Sequence, residues 1–593
     1  MQLKMRKDMD KRWMWNLNDI LDGVAAFDEL FEKAARGIEE MAAYQGKVHE
    51  DPRGAIRKST EVEQMISRLF TYARMRQDED GSDSEAQALL ARVQGLASKG
   101  RSASAFLQPE LLGMSEEALR EMAADPDFSE YDVFIDDILR DKPHTLPAEQ
   151  EKLLATVGEM MSAPSQIFTM LSDVDMPKPM VTDEDGSKVK LTGATYRRLL
   201  DSRNREVRKE AYEAMMGMYQ QYCQSISTAY RYAVKGDVSR ARVRKHGSAI
   251  EAALYPDRIP VSVYDNLIQS VEDSLPAMQK YLEIRKRKLG VDELHLYDLY
   301  VPIVDGFDMK MSYPEAFELV KKGLKPLGEH YAQLLDEAYT GGWIDVYENQ
   351  GKHSGAYSWG VYGVHPYVLL NHTDDLGGAM TLAHELGHAM HSWHSDNALP
   401  YTKSGYSLFV AEVASTCNEM LLMRSLLNEY KDNKEASAFL ANQLLEEFRG
   451  TVYRQTMFAA FERESHRMEE AGIPLTVETL GEVHYKLNEK YYGGACVIDD
   501  CVRSEWMRIP HFYRNFYVYK YATGFSAAVY IANRIMTEGQ PAVDDYMKFL
   551  SAGGSVPPLD ALRLAGVDME DPTTVQDALK VFADTVDMLE ELL

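Results

Sequence analysis

Residues 381–391 read TLAHELGHAMH, which sets His384 and His388 four positions apart. Four residues of α-helix turn the backbone by about 400°, so both imidazoles leave one face within ~40° of each other, one turn apart. Two imidazoles so placed can share a zinc ion. Glu385, beside the first of them, can reach a water on that ion as general base. Leu382, Ala383, Leu386 and Met390 would seat the helix in a core. The bland alternative is a pair of histidines on a packed or solvated helix, because a five-residue match can arise by chance in a chain of 593 residues.

A third protein ligand separates the subclasses. His394 falls six residues after His388, where metzincins place a third histidine, but that arrangement needs a glycine midway to break the helix. Here the midway position is His391. On a continuing helix His394 points some 120° away from the metal face, so His391 and His394 read as nearby polar residues. Glu412, in SLFVAEVASTCNEMLLM, is the better candidate. It sits among Val410, Val413 and Ala414 on a second expected helix, and a carboxylate in such a stretch needs a partner. Glu419 follows two turns later, within ~20° of the same face. Two carboxylates there repel unless a cation or donors lie between them. Zinc held by His384, His388 and Glu412, with Glu419 steadying a ligating histidine, satisfies both; the alternative is an amphipathic helix with both glutamates solvated.

Outward from these segments the chain is mostly helical in texture. The stretch AFDELFEKAARGIEEMAAY and residues 145–162 and 434–449 carry apolar residues at three-and-four spacing, with charges between. Three breaks stand out. Residues 174–193 contain two prolines and Asp185-Gly186 between short apolar runs, the pattern of a small hairpin. Residues 351–373, GKHSGAYSWGVYGVHPYVLLNHT, carry aromatic and β-branched residues flanked by glycines and predict short strands leading into the metal motif. Residues 491–500, with Gly493-Gly494, are a candidate mobile loop. The expected division is an N-terminal helical lobe over 1–195 and a catalytic domain over 196–593.

Composition narrows the function classes. Lys+Arg number 65 against 93 Asp+Glu, a formal charge of -28, which argues against phosphate backbones and anionic membranes as partners. Four cysteines fit a reducing compartment, and Cys496 and Cys501 read as unpaired thiols. The opening MQLKMRKDMDKRWMWNLNDIL lacks a signal-peptide core, and no uncharged apolar run approaches the ~18 residues of a membrane span. The expectation is a cytoplasmic protein. Oligomeric state, monomer or homo-oligomer, is not legible.

HELGH followed 24 residues after its last histidine by the Glu of FVAEVAST resembles the thimet-oligopeptidase-like zinc metallopeptidases, and within them the oligoendopeptidase F branch. The similarity extends to GAYSWGVYGVHPYVLLNHT, to YDLYVPI at 297–303, to HFYRNFYVYKYATG at 511–524 and to RWMWNLNDIL near the start. The resemblance implies a mainly α, two-lobed helical shell around a deep substrate channel, with a small β element beside the HExxH helix. It implies one zinc ion per chain at His384, His388 and Glu412, and short unstructured peptides as substrates. Gly355, Ala356 and Tyr357 would belong to a strand that pairs with substrate backbone. His and Tyr donors would come from the segment starting at His511. Among Tyr517, Tyr519 and Tyr521, the pair Tyr517 and Tyr521 share a helix face at i, i+4 spacing, so His511 and Tyr517 are taken as catalytic, with Tyr521 next. Competing readings are a zinc carboxypeptidase and a non-catalytic helical peptide-binding protein with a vestigial motif; a binding module needs no general base at Glu385.

Overall fold

The asymmetry between long helices and very short strands is the main feature of the computed structural model, which describes residues 3–304, 306–307 and 309–593. The periodic segments form Gly23–Ala42, Ala148–Gly158 and Lys434–Glu447. Start signals are local: Asp51 accepts from Gly54 N–H ahead of the helix Pro52–Glu79, with proline in its first turn, and Asp83 accepts from two N–H groups ahead of Ser84–Ser104. Five strands occur among the described residues, β1 (Met180–Thr182), β2 (Lys188–Lys190), β3 (Ile344–Asp345), β4 (Tyr357–Trp359) and β5 (Tyr367–Leu369), none longer than three residues. The fold is mainly α.

The chain divides into two compact units, each assembled from three segments. The first comprises Met1–Thr145, Asp308–Ser425 and Ile531–Val567. Its helices Gly23–Ala42, Pro52–Glu79 and Ser84–Ser104 bury Phe27, Leu69, Tyr72 and Val93 in one cluster with Val361, Tyr367 and Leu369 of the sheet region. The sheet order is β3-β5-β4, with β3 parallel and β4 antiparallel to β5, pairing Tyr357 with Leu369 and Trp359 with Tyr367. The opening segment is tied to the sheet by buried charge. The Arg6 guanidinium meets Glu79 at 2.7 Å and also Asp345, and Lys352 Nζ lies 2.7 Å from Asp345 Oδ1.

The second unit comprises Leu146–Phe307, Leu426–Tyr530 and Asp568–Leu593. It holds the expected hairpin, β1 against β2, with Met180 opposite Lys190. On the helix Arg454–Glu470, Phe461 packs against Tyr230, Trp506 and Phe512. Glu505 takes Arg454 at 2.6 Å and His484 at 3.1 Å in the same interior. Of the 491–500 segment, Tyr491 and Tyr492 close the helix Val477–Tyr492 and residues 493–499 have no helix or strand; there Val497 N–H donates to Leu294 O at 2.7 Å. Cys223, Cys417, Cys496 and Cys501 are all free thiols.

The compact units do not follow the linear division at residue 195. The N-terminal helices bury their apolar faces against strands more than 200 residues later, so they belong to the same compact unit as the HELGH region. Hydrophobic area is buried wherever complementary faces meet, whatever their separation in sequence.

Candidate metal centre

The motif helix, Leu376–Ala398, begins at Asp375, whose Oδ1 accepts from Gly378 N–H at 2.8 Å. It runs unbroken past His394, so the swing a metzincin requires does not occur. His394 is buried, 5.0 Å ring to ring from Trp393 and 5.8 Å from His330. His391 is buried flat against Tyr406, with ring centroids 3.7 Å apart at 5°.

The glutamate helix, Ala411–Glu429, carries Glu412 in its first turn. Glu412 Oε2 lies 3.3 Å from Nε2 of His384 and 3.3 Å from Nε2 of His388. A tetrahedral ion with bonds of about 2.0–2.1 Å holds its ligand atoms about 3.3–3.4 Å apart, so the three donors fit zinc. They are a group of metal-ligating type among the described residues, with all donor atoms within 4.8 Å of one another. Glu419 Oε2 lies 3.3 Å from the other nitrogen of His384, Nδ1. That carboxylate fixes which imidazole nitrogen faces the donor group.

The electrostatics follow from this packing. Hydrogen bonds from His384 and His388 hold the Glu412 carboxyl far below the usual range, against its burial. Burial opposes charge on the His384 ring, yet Glu412 and Glu419 together outweigh it and push that ring up to about 10. Two carboxylates thus flank the His384 ring, one at each nitrogen. Burial also raises Glu385, with Glu412 and Glu419 adding to the rise and the histidines opposing it.

Two residues that sequence reasoning missed bring the helices together. A Cβ on Gly387 would stand 2.5 Å from Ser415 Cα and 2.6 Å from Ala414 O, so only glycine lets the glutamate helix approach. A glycine inside a helix costs about 1 kcal/mol relative to alanine; its place between two candidate ligands was the available signal. Asn418 then bonds the helices, donating to Ala383 O at 3.1 Å while its Oδ1 accepts from Tyr331 at 3.0 Å.

The candidate substrate strand is more limited than GAYS implied. Gly355 lies in a turn at φ +85, and its carbonyl accepts from Asn371 Nδ2 at 2.8 Å. Ala356 precedes β4. Tyr357 turns inward, its hydroxyl donating to Asp78 Oδ2 at 2.8 Å, so its backbone, not its phenol, belongs to the sheet edge. Beyond β4, Gly360, Val361 and Tyr362 line a cavity of about 800 Å³ with Ser392 and Asp396 of the motif helix and Tyr406.

In the second unit, His511, Tyr517 and Tyr521 come together. The rings of His511 and Tyr517 lie parallel, 6.2 Å apart at 6°; Tyr521 is edge-on to both, at 6.0 and 5.4 Å. The expected helical route to this cluster is corrected, because the helix starts only at Tyr519. Tyr517 precedes it, and the chain turns at Phe516, a non-glycine residue at φ +50. Tyr519 is buried against Tyr264, rings 5.0 Å apart, which leaves Tyr517 and Tyr521 as the half-exposed pair. His511 is exposed, and partial burial together with Arg514 lowers its pKa.

A mainly helical chain with an HExxH helix and a downstream glutamate on the same donor group is of the metallopeptidase class. The model of "Peptidase family M3" matches residues 198–581 and that of "Oligopeptidase F" matches residues 110–177; the chain belongs to peptidase family M3 and is a metallo-endopeptidase, a peptide hydrolase. Oligopeptidase PepF of Bacillus subtilis is 42% identical over 596 residues, covering 100% of this chain and 89% of that protein. Oligoendopeptidase-F of Enterococcus faecium has a crystal structure 34% identical, covering 95% of this chain and 98% of that one, at TM-score 0.73. A crystal structure from Chlamydophila abortus is 32% identical over 100% of both chains, at TM-score 0.93. No described helix is long and apolar enough to cross a membrane.

Proposed function

We propose that this peptidase is a zinc-dependent endopeptidase that cuts internal bonds of short, unstructured peptides. The observation that carries the zinc assignment is the 3.3 Å spacing of Glu412 Oε2 from both histidine nitrogens, the edge length of a tetrahedral site. Zinc held by His384, His388 and Glu412 would supply Lewis acidity and lower the pKa of water. Glu385 accepts the proton of the attacking water and returns it to the leaving amine. Glu419 holds the His384 ring in register through Nδ1.

The edge strand β4 offers backbone groups to an extended peptide, the strand-addition mode in which main-chain bonds give affinity and side-chain pockets give preference. The cavity that follows β4, with Tyr362 and Tyr406 in its wall, supports side-chain recognition on that line. His511 and Tyr517 are assigned as hydrogen-bond donors to the carbonyl oxygen as it gains charge, with Tyr521 packed against both. This assignment rests on the family resemblance and on the parallel packing of the two rings.

The test is metal analysis of the purified protein, together with cleavage of an internally quenched peptide blocked at both ends, with and without a chelator. Stoichiometric zinc and chelator-sensitive internal cleavage are expected. Cleavage only of peptides with a free C-terminus would replace the endopeptidase reading with the carboxypeptidase one. Absence of both zinc and cleavage after zinc is added back would leave a peptide-binding protein.

A further inference from the structure

Glu462 is a fully buried carboxyl that neither the donor group nor the cavity uses. It lies within the helix Arg454–Glu470 and makes no ion pair among the described residues. Its Oε1 accepts the backbone N–H of Phe516 at 2.5 Å, and its Oε2 has no hydrogen-bond partner. With burial unopposed by any cation, and Asp237 nearby, the carboxyl is held well above the usual carboxylate range. The side chain is thus committed to one contact, the Phe516 N–H on Oε1.

What it accepts from is unusual. Phe516 is one of three non-glycine residues with positive φ among those described, and an aromatic side chain there is disfavoured by steric contact of Cβ with the backbone. Three contacts hold it. Glu462 takes its N–H, the ring lies 4.5 Å from that of His466, one helical turn beyond Glu462, and it lies 5.7 Å from Tyr264. His466 is itself fixed, by Glu462 O at 2.8 Å and Asp237 at 3.4 Å. A leucine at 462 could fill the space but would leave a buried N–H without an acceptor. The residue immediately after this turn is Tyr517, laid parallel to His511.

We infer that Glu462 is a positioning residue: by accepting from Phe516 N–H it holds the left-handed turn that presents Tyr517 beside His511. This rests on the donor role assigned above to Tyr517. Glu462 touches no reacting atom and acts through the turn.

The experiment compares Glu462→Gln, Glu462→Met, Tyr517→Phe and the Glu462→Met/Tyr517→Phe double variant of the full chain, with zinc content measured for each. Gln keeps an acceptor oxygen for the Phe516 N–H and should retain kcat within about threefold. Met should lower kcat by up to ~10²-fold, the scale of a displaced catalytic group, with KM and zinc content little changed. Hydrogen exchange at the Phe516 amide gives a readout independent of turnover: protection should survive in Gln and collapse in Met. The double variant should be no slower than Tyr517→Phe within about threefold, since coupled residues are non-additive. Multiplicative losses, or a protected Phe516 amide in the Met variant, would overturn the inference while Tyr517's own role stands. Full kcat in Tyr517→Phe would instead overturn the donor assignment, and the inference with it. Should the Met variant not fold, Phe516→Asn and Phe516→Val replace it. Both remove the ring, but asparagine tolerates the left-handed region and a β-branched residue does not, so the Asn variant should keep the higher kcat; equal values would count against a required turn.

Discussion

The corner formed by His384, His388 and Glu412 and the cluster formed by His511, Tyr517 and Tyr521 are built on opposite principles. In the first, regular helices do the placing: two histidines share a face by the 3.6-residue period, and a glutamate in the first turn of the next helix meets both at 3.3 Å. In the second, the three side chains converge because the chain departs from regular structure, at a left-handed phenylalanine just before a helix begins. Helical geometry is repeated and stiff, so its ligands keep their angular relation unless a change strikes the contact between the two helices or the carboxylate behind His384. A turn set by one hydrogen bond and two ring contacts depends on a few named residues. Perturbations of the first region should strike metal retention or the proton transfer; those of the second should act on kcat with the metal still bound.

The sharpest break in that contrast is Glu385→Gln. It should retain zinc and lose ~10²–10⁴-fold in kcat/KM on a blocked peptide; normal cleavage would remove the general-base assignment. Next is the choice among tyrosines. Tyr517→Phe should lower kcat by about 10²-fold, the scale of one lost donor to a developing oxyanion, while Tyr519→Phe should stay within a few-fold because Tyr519 packs in the interior against Tyr264. Equal losses in the two would mean that the cluster acts only through packing.

The metal corner has its own graded tests, read by zinc retention on dialysis. Glu419→Ala should weaken zinc affinity by about 10–100-fold through the freed His384 ring. Gly387→Ala should also release zinc, since its methyl meets the glutamate helix backbone at 2.5 Å, and overpacking of this kind costs about 1–3 kcal/mol in stability. Unchanged retention in Gly387→Ala would show that the helices separate without moving Glu412.

The smallest expected effect is on acid stability. Burial, reinforced by His388 and His394, lowers His391 from its ordinary value to about 3. A histidine whose folded pKa is depressed contributes nothing unfavourable above its free value of about 6.5; as pH falls below that, the unfolded chain takes up a proton that the folded one refuses, and stability is lost. Between pH 7 and pH 5 this single residue should remove on the order of 2 kcal/mol. Urea unfolding of metal-stripped protein should therefore weaken less steeply with acid in His391→Met than in the parent; parallel slopes would place the titrating group elsewhere.

Much of the first region was legible in one dimension. The four-residue and seven-residue spacings, 384 to 388 and 412 to 419, are angular statements about helices, and glutamates among apolar residues demanded a partner. The hairpin at 180–190 followed from its turn residues, and the strands before the motif from their aromatic and β-branched content. The second region was legible only as a list of aromatics. Nothing local to FYVYKY showed that Tyr517 stands outside the helix, because the carboxyl that steadies the turn is Glu462, 54 residues earlier in the chain.

The sequence by itself determined the mainly helical class and the placing of His384, Glu385 and His388 on one helix, with Glu412 on a second. These depend on helical periodicity and on the chemistry of side chains, both local properties. Only the tertiary structure decided that the N-terminal helices share a core with the strands that precede the HELGH helix, that Gly387 is where two helices meet backbone to backbone, and that Tyr519 is interior while Tyr517 is not. Each of those is a long-range packing choice, fixed by which distant faces bury each other.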